Sequence, residues 1–265
     1  MKKPPPALRS AVPILALLLA GHVFAAPAAQ PFDAVKKPES VDPEWRVRLC
    51  ALLPQPCDPQ GLGLYRPRGA AVGDYAVLSE EPLSIAMVRI KRGAGTRSWQ
   101  VGRLHDFSSY AAAMKKDGGA GMSDVRVSLA PALYPLAEGQ WAVAVLQTVS
   151  EMYSGGGASF SKADFVPLDE SKAVYEGIPF SCSKMVRACF SEKEYKQSKH
   201  CHDESSGSLR IAYGEPATPG EPYNWQYTWL QNEWPAHTPA SAATTTRLHF
   251  AARTTERAGF CGGPQ

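Results

Sequence analysis

No apolar run in the 265 residues is shaped to cross a bilayer. The N-terminal run from Ala11 to Ala20 falls short of the roughly twenty residues that about 30 Å of hydrocarbon demands, and Pro13 interrupts it. A transmembrane anchor in the mature chain is therefore not expected. The sequence also lacks a Gly-x-Ser-x-Gly elbow, a phosphate loop, a dinucleotide fingerprint and a calcium-loop pattern. No repeat of fixed period is present, and no heptad run suggests a coiled coil. No cofactor is implied. Crossover helices between the strand-like runs are missing too, which disfavours a parallel α/β architecture.

What is present begins with an address. Lys2, Lys3 and Arg9 precede the short apolar run, and Val23-Phe24-Ala25 supplies small residues at the positions a signal peptidase reads. Residues 1–25 read as a cleavable signal peptide, with Ala26 to Ala29 as neighbouring cleavage positions. No cysteine near the cleavage region offers a lipidation site, and the paired basic residues are lysines, not the twin arginines of the folded-export route. The composition, rich in Ala, Pro, Gly and Arg, suits a bacterial protein of the periplasm or a secreted one. Cleavage would remove three cations and no acid, so the formal charge of +3 falls to zero. A neutral mature chain gives no electrostatic reason to expect nucleic acid or an anionic membrane as partner.

Six cysteines, Cys50, Cys57, Cys182, Cys189, Cys201 and Cys261, lie in the exported part, and an oxidising compartment makes paired disulfides the leading reading. Cys50 with Cys57 and Cys182 with Cys189 share one spacing, which lets a turn bring two Cα atoms to about 5.5 Å. Cys201 and Cys261 then remain for each other. Fifteen pairings are open to six cysteines, and spacing alone does not select one.

Residues 26–41 read as a flexible leader and 42–265 as a β-rich extracytoplasmic domain, with a candidate division near residue 171. Asp42 as cap, Pro43 at the first helical position and Trp45, Leu49, Leu52 and Leu53 on one face predict a helix over about 43–53, stopped by Pro54. Asp106, followed by Phe107, Tyr110, Ala111 and Met114, predicts a second over about 107–116, stopped by Gly118 and Gly119. Elsewhere short runs with β-sheet character recur between Gly- and Pro-rich turns, one of them at Gly93 to Gly95. Trp141 to Val149 reads as a central strand buried on both faces. The expected fold is mainly β, an antiparallel sheet or sheets, sandwich- or barrel-like, with two short helices.

Tyr223, Trp225, Tyr227 and Trp229 alternate strictly, which sets four rings on one face of a strand. Such a row is either a platform for stacking sugar rings or the core face of a sheet. His200, Cys201, His202 and Asp203 have metal-ligand chemistry, but the polar residues around them read as a solvated loop, and no metal site is assigned. Two Ser-x-x-Lys sequences, at Ser159 and Ser181, lie in strand-like segments away from a helix start, and His105-Asp106 is better read as strand end and helix cap. No catalytic residue is assigned. Ser154-Gly155-Gly156-Gly157 reads as a hairpin loop open to mobility or to close approach by a ligand. The leading functional expectation is a non-enzymatic, disulfide-stapled envelope protein that binds another protein, of the inhibitor or immunity type. A glycan or peptidoglycan binder using the 223–229 row, and an envelope hydrolase assembled from distant residues, are the alternatives.

Overall fold

A computed structural model describes residues 27–53, 56–92, 97–117, 125–218, 220–251 and Cys261. The signal-peptide reading, the Pro54 stop and the glycine stretches at 93–95 and 118–119 lie outside the described residues. The strands are β1 (Gln30–Ala34), β2 (Leu62–Pro67), β3 (Asp74–Glu80), β4 (Leu83–Arg92), β5 (Arg97–Asp106), β6 (Val125–Leu129), β7 (Ala132–Ala137), β8 (Gln140–Tyr153), β9 (Gly156–Pro167), β10 (Tyr175–Arg187), β11 (His202–Gly214), β12 (Asn224–Trp234) and β13 (Thr244–Ala251). The helices are α1 (Pro38–Val41), α2 (Trp45–Leu52), α3 (Ser108–Asp117) and α4 (Glu192–Gln197). All thirteen strands join one antiparallel sheet that does not close, in the order β13-β12-β11-β10-β9-β8-β7-β1-β2-β3-β4-β5, with β6 paired to β8. The mainly β, antiparallel expectation therefore holds, and α2 and α3 occupy the two segments read as helical.

The sheet consists of two meanders spliced by one short strand. β1 pairs with β2 on one side, Phe32 opposite Pro67, and with β7 on the other, Gln30 opposite Leu133. This corrects the expectation that residues 26–41 form a flexible leader and that order begins at Asp42. The Ala-, Pro- and Lys-rich composition of the leader suggested too little to bury, but Phe32 enters the core and is only 5% exposed, and Ala29, Val35 and Val41 pack against its edges. Two facing strand edges supply the backbone partners that the side chains do not.

β8 lies in the middle of the sheet, and Ala142, Val143, Ala144 and Val145 are all fully buried. Alternation divides them between two clusters: Val143 and Val145 pack with Phe32, Ile85, Phe107 and Val166, whereas Ala142 and Ala144 pack with Tyr134, Phe165, Trp225 and Tyr227. Small residues on one face leave room for the large rings. The chain beside β8 kinks at Ala130-Pro131 between β6 and β7, which line successive parts of the same edge of β8.

Helix α2 covers a third cluster with Trp45 and Leu49, while Leu52, expected on the same face, is exposed. Its anchor is Asp42. That buried carboxylate accepts from the Trp99 indole N–H at 2.8 Å and from the Glu44 amide at 3.0 Å. α3 is tied down similarly: Asp106 accepts from the Ser108 amide at 2.8 Å, and the Tyr110 hydroxyl donates to Asp164 at 2.8 Å.

Three disulfides are present, and two correct the spacing argument. Cys50 and Cys57 pair as expected, with Cα atoms 5.6 Å apart. The others are Cys182–Cys261 and Cys189–Cys201, not Cys182–Cys189 and Cys201–Cys261. Equal spacing misleads because the two segments differ in conformation. Cys50 lies in the last turn of a helix and Cys57 lies back beside it, but Cys182 lies within β10, where an extended chain at about 3.3 Å per residue carries Cys189 some 20 Å away. Cys189 lies just beyond the last β10–β11 pair, Arg187 opposite His202, where Cys201 closes on it with a Cα separation of 5.1 Å.

Candidate functional site

The aromatic row occupies the core. Trp225, Tyr227 and Trp229 are at most 1% exposed, and Tyr223 is half-buried. Trp225 meets Phe165 edge-on at 4.9 Å and Tyr175 at 4.8 Å, and its indole N–H donates to the Pro135 carbonyl at 2.9 Å. Burial pushes the Tyr134 hydroxyl pKa up to about 12, and the Tyr213 and Tyr227 hydroxyls also shift upward, chiefly from burial. All of these rings are neutral core groups. Tyr223, Trp225, Tyr227 and Trp229 therefore do not form a stacking platform, because curvature of the sheet folds other strands over that face.

The candidate nucleophiles fall apart just as clearly. Ser159 and Ser181 lie on β9 and β10, where residues three apart point to opposite faces, so neither meets its lysine. His105 Nδ1 donates to the Leu168 carbonyl at 2.8 Å, and Asp106 caps α3. His200 and His202 have ring centroids 6.5 Å apart, and His200 instead stacks flat on Trp234 at 3.5 Å. No group of three metal-ligating side chains occurs among the described residues. The segment read as a solvated loop begins β11.

A different region gathers exposed chemistry. Of ten large apolar side chains exposed among the described residues, Met152, Tyr153, Met185, Phe190 and Tyr195 all lie at one end of the sheet. Register brings the two methionines together: Met152 and Met185 both lie opposite Gly157, on its two neighbouring strands. The Tyr153 hydroxyl donates to the Met185 carbonyl at 3.3 Å, and the Arg187 amide donates to the Gly155 carbonyl. The glycines explain this close fit. A Cβ on Gly156 would run into the Met185 backbone, so the close approach that the triple glycine permits is made by β10 and not by a ligand.

Beyond β10 the chain leaves the sheet in a loop closed by Cys189–Cys201 and stiffened by α4. Ser191 and Glu194 form a reciprocal cap in which Glu194 accepts the Phe190 and Ser191 amides, each at 2.8 Å, and returns its own amide to the Ser191 hydroxyl. Those donors, the Phe190 amide first, hold the Glu194 carboxyl below the usual carboxylate range. Phe190, 72% exposed, and Tyr195 stand on this rigid loop with the Arg187 guanidinium 5.6 Å from each ring.

Beside this end runs a shallow trough of about 660 Å³. Its floor is a registered row across six strands, Ser150, Ser159, Ser183, Ser206, Asn232 and Thr245. At about 4.8 Å per strand the row spans roughly 24 Å. Met152, Met185, Glu204 and Trp234 line the next row. Sequence reading missed Phe190 and Tyr195, although isolated aromatics in the charged stretch between Cys189 and Cys201 have no apolar periodicity to carry them into a core. The two methionines gave no such signal, because their exposure depends on where the strands end. No family model matches this chain, and no curated protein or solved structure does either.

Proposed function

We propose that the chain is an exported, disulfide-stapled protein that binds another protein, in the manner of an inhibitor or immunity protein, through the β8–β9 turn, the end of β10 and the Cys189–Cys201 loop. The observation that supports this reading is the exposure of Phe190 and Tyr195, flanking Arg187 on a braced loop, next to the sheet end where Met152, Tyr153 and Met185 are also exposed. Aromatics, Met and Arg are the residues enriched where proteins meet, and a pre-ordered loop avoids part of the entropy cost of docking.

The test is retention of a protein from envelope extract by immobilised mature chain. Met185→Glu combined with Phe190→Glu is expected to abolish retention, since hot-spot residues contribute about 2 kcal/mol or more each. Both side chains are exposed, so far-UV circular dichroism should not change. Equal retention by the double variant would overturn the assignment of this surface.

A further inference from the structure

We infer that the partner presents an acidic surface and that Arg187 receives one of its carboxylates; this rests on the binding reading above. Arg187 is held ready. Its Nε donates to the Cys189 carbonyl at 2.7 Å, and the rings of Phe190 and Tyr195 flank the guanidinium. Its two terminal nitrogens donate to no other described residue. A planar guanidinium fixed at one edge and flanked by aromatic rings suits a carboxylate, which it meets through parallel N–H donors.

The charge around it has the same sign. From Lys184 to Cys201 the chain carries Lys184, Arg187, Lys193, Lys196 and Lys199 against only Glu192 and Glu194. Both acids are already engaged, Glu192 by Lys196 at 2.6 Å and Glu194 by the helix cap. Lys193 and Lys199 are exposed and make no ion pair among the described residues. The nearest acids in register are on β11: Asp203 lies opposite Val186 and is engaged by the Ala236 amide at 2.8 Å, and Glu204 lies opposite Met185 on the wall of the trough. In a mature chain of zero expected net charge, this cationic and aromatic end is a local concentration of positive charge. It complements carboxylates, and the apolar rings require an occupant that also has an apolar surface. A protein with acidic and apolar side chains interleaved meets both requirements.

The first probe is a short synthetic peptide alternating Asp and Leu, compared with its Asn and Leu counterpart. The acidic peptide is expected to bind the mature protein about tenfold more tightly, with affinity falling as salt rises. Arg187→Lys, which keeps the charge but loses the planar fork, is expected to weaken it by about tenfold. Equal binding of the two peptides overturns the inference. So does binding of vesicles of phosphatidylglycerol and phosphatidylethanolamine with no binding of the acidic peptide, which would assign the charge to a membrane surface.

The second arm separates the inference from the reading beneath it. Lys193→Glu with Lys199→Glu reverses charge at two exposed positions, and it is expected to abolish the retention that Met185→Glu with Phe190→Glu also abolishes. If the apolar pair abolishes retention and the charge reversal does not, the surface stands and the acidic partner falls. If neither pair affects retention, both fall.

Discussion

Replacing Gly207 with alanine should destabilise this protein, although glycine-to-alanine changes in extended backbone commonly do the opposite. Gly207 lies on β11 opposite Cys182 on β10 and Gln231 on β12. Its backbone is outside the left-handed region, so alanine fits the local conformation, and reduced freedom of the unfolded chain favours it by about 0.4–1 kcal/mol. The added Cβ, however, would press on the edge of the Trp229 indole and lie 2.7 Å from Cys182 Sγ. Neither neighbour can withdraw easily. Trp229 is fully buried, and Cys182 is tied to Cys261. Overpacking costs about 1–3 kcal/mol, and two rigid neighbours place this site at the upper end, leaving a net loss of about 2 kcal/mol. The melting temperature should fall by about 6 °C. Urea unfolding of the oxidised protein measures the loss directly as a lower midpoint at unchanged slope. Trp229→Phe relieves the clash, so a double-mutant cycle should show a favourable coupling of about 0.5–3 kcal/mol. A raised midpoint for Gly207→Ala, or simple additivity of the two changes, would refute the packing argument.

Other consequences are equally direct. Non-reducing peptide mapping should recover Cys50–Cys57, Cys182–Cys261 and Cys189–Cys201, and a Cys182–Cys189 peptide would contradict the fold. By loop-closure entropy, removing both cysteines of the 79-residue loop should cost about 4.5 kcal/mol and those of the 12-residue loop about 3, read from denaturation midpoints. Asp42→Ala leaves the buried Trp99 N–H without its acceptor and should cost about 2 kcal/mol with a shift in tryptophan fluorescence; an unchanged midpoint would show that α2 is held by packing alone. Glu194 titrates below the usual range, so its support of the loop is complete above the unfolded carboxyl value and is lost as pH falls through the lowered folded one. The Phe190 and Ser191 amide resonances should follow that lowered midpoint, and Glu194→Gln should abolish the titration while keeping an acceptor in the cap; a midpoint at the ordinary glutamate value would count against the capping geometry.

Much of the fold was legible because local chemistry and tertiary role agree in most segments. The burial of Val143 and Val145 in the run read as a central strand and the position of α3 follow from period and caps, although Leu146 and Val149 in the same run are only half-buried. Failures occur where long-range geometry decides. β1 is a strand because two edges far away in sequence await it, which its own composition does not announce. The cysteine pairing depends on whether seven residues run through a turn or along a strand. The candidate surface was less legible still: Met152 and Met185 are core residues by type, and only the registered glycine between them, with β8 ending at Tyr153, leaves them outside. The aromatic row had the reverse fate, since alternation identifies a face but not what covers it.

The splice strand has a consequence for how copies of this molecule treat one another. The backbone groups of β2 and β7 that receive Gln30–Ala34 recognise a strand, not the chain it belongs to. The same five residues offered by a neighbouring molecule would satisfy the same bonds. A copy shortened at its N-terminus thus becomes an acceptor with a vacant slot, and an intact copy can serve as a donor. Reciprocal exchange would produce a dimer without a single new contact, and a peptide spanning β1 would compete for the slot and keep the molecules apart.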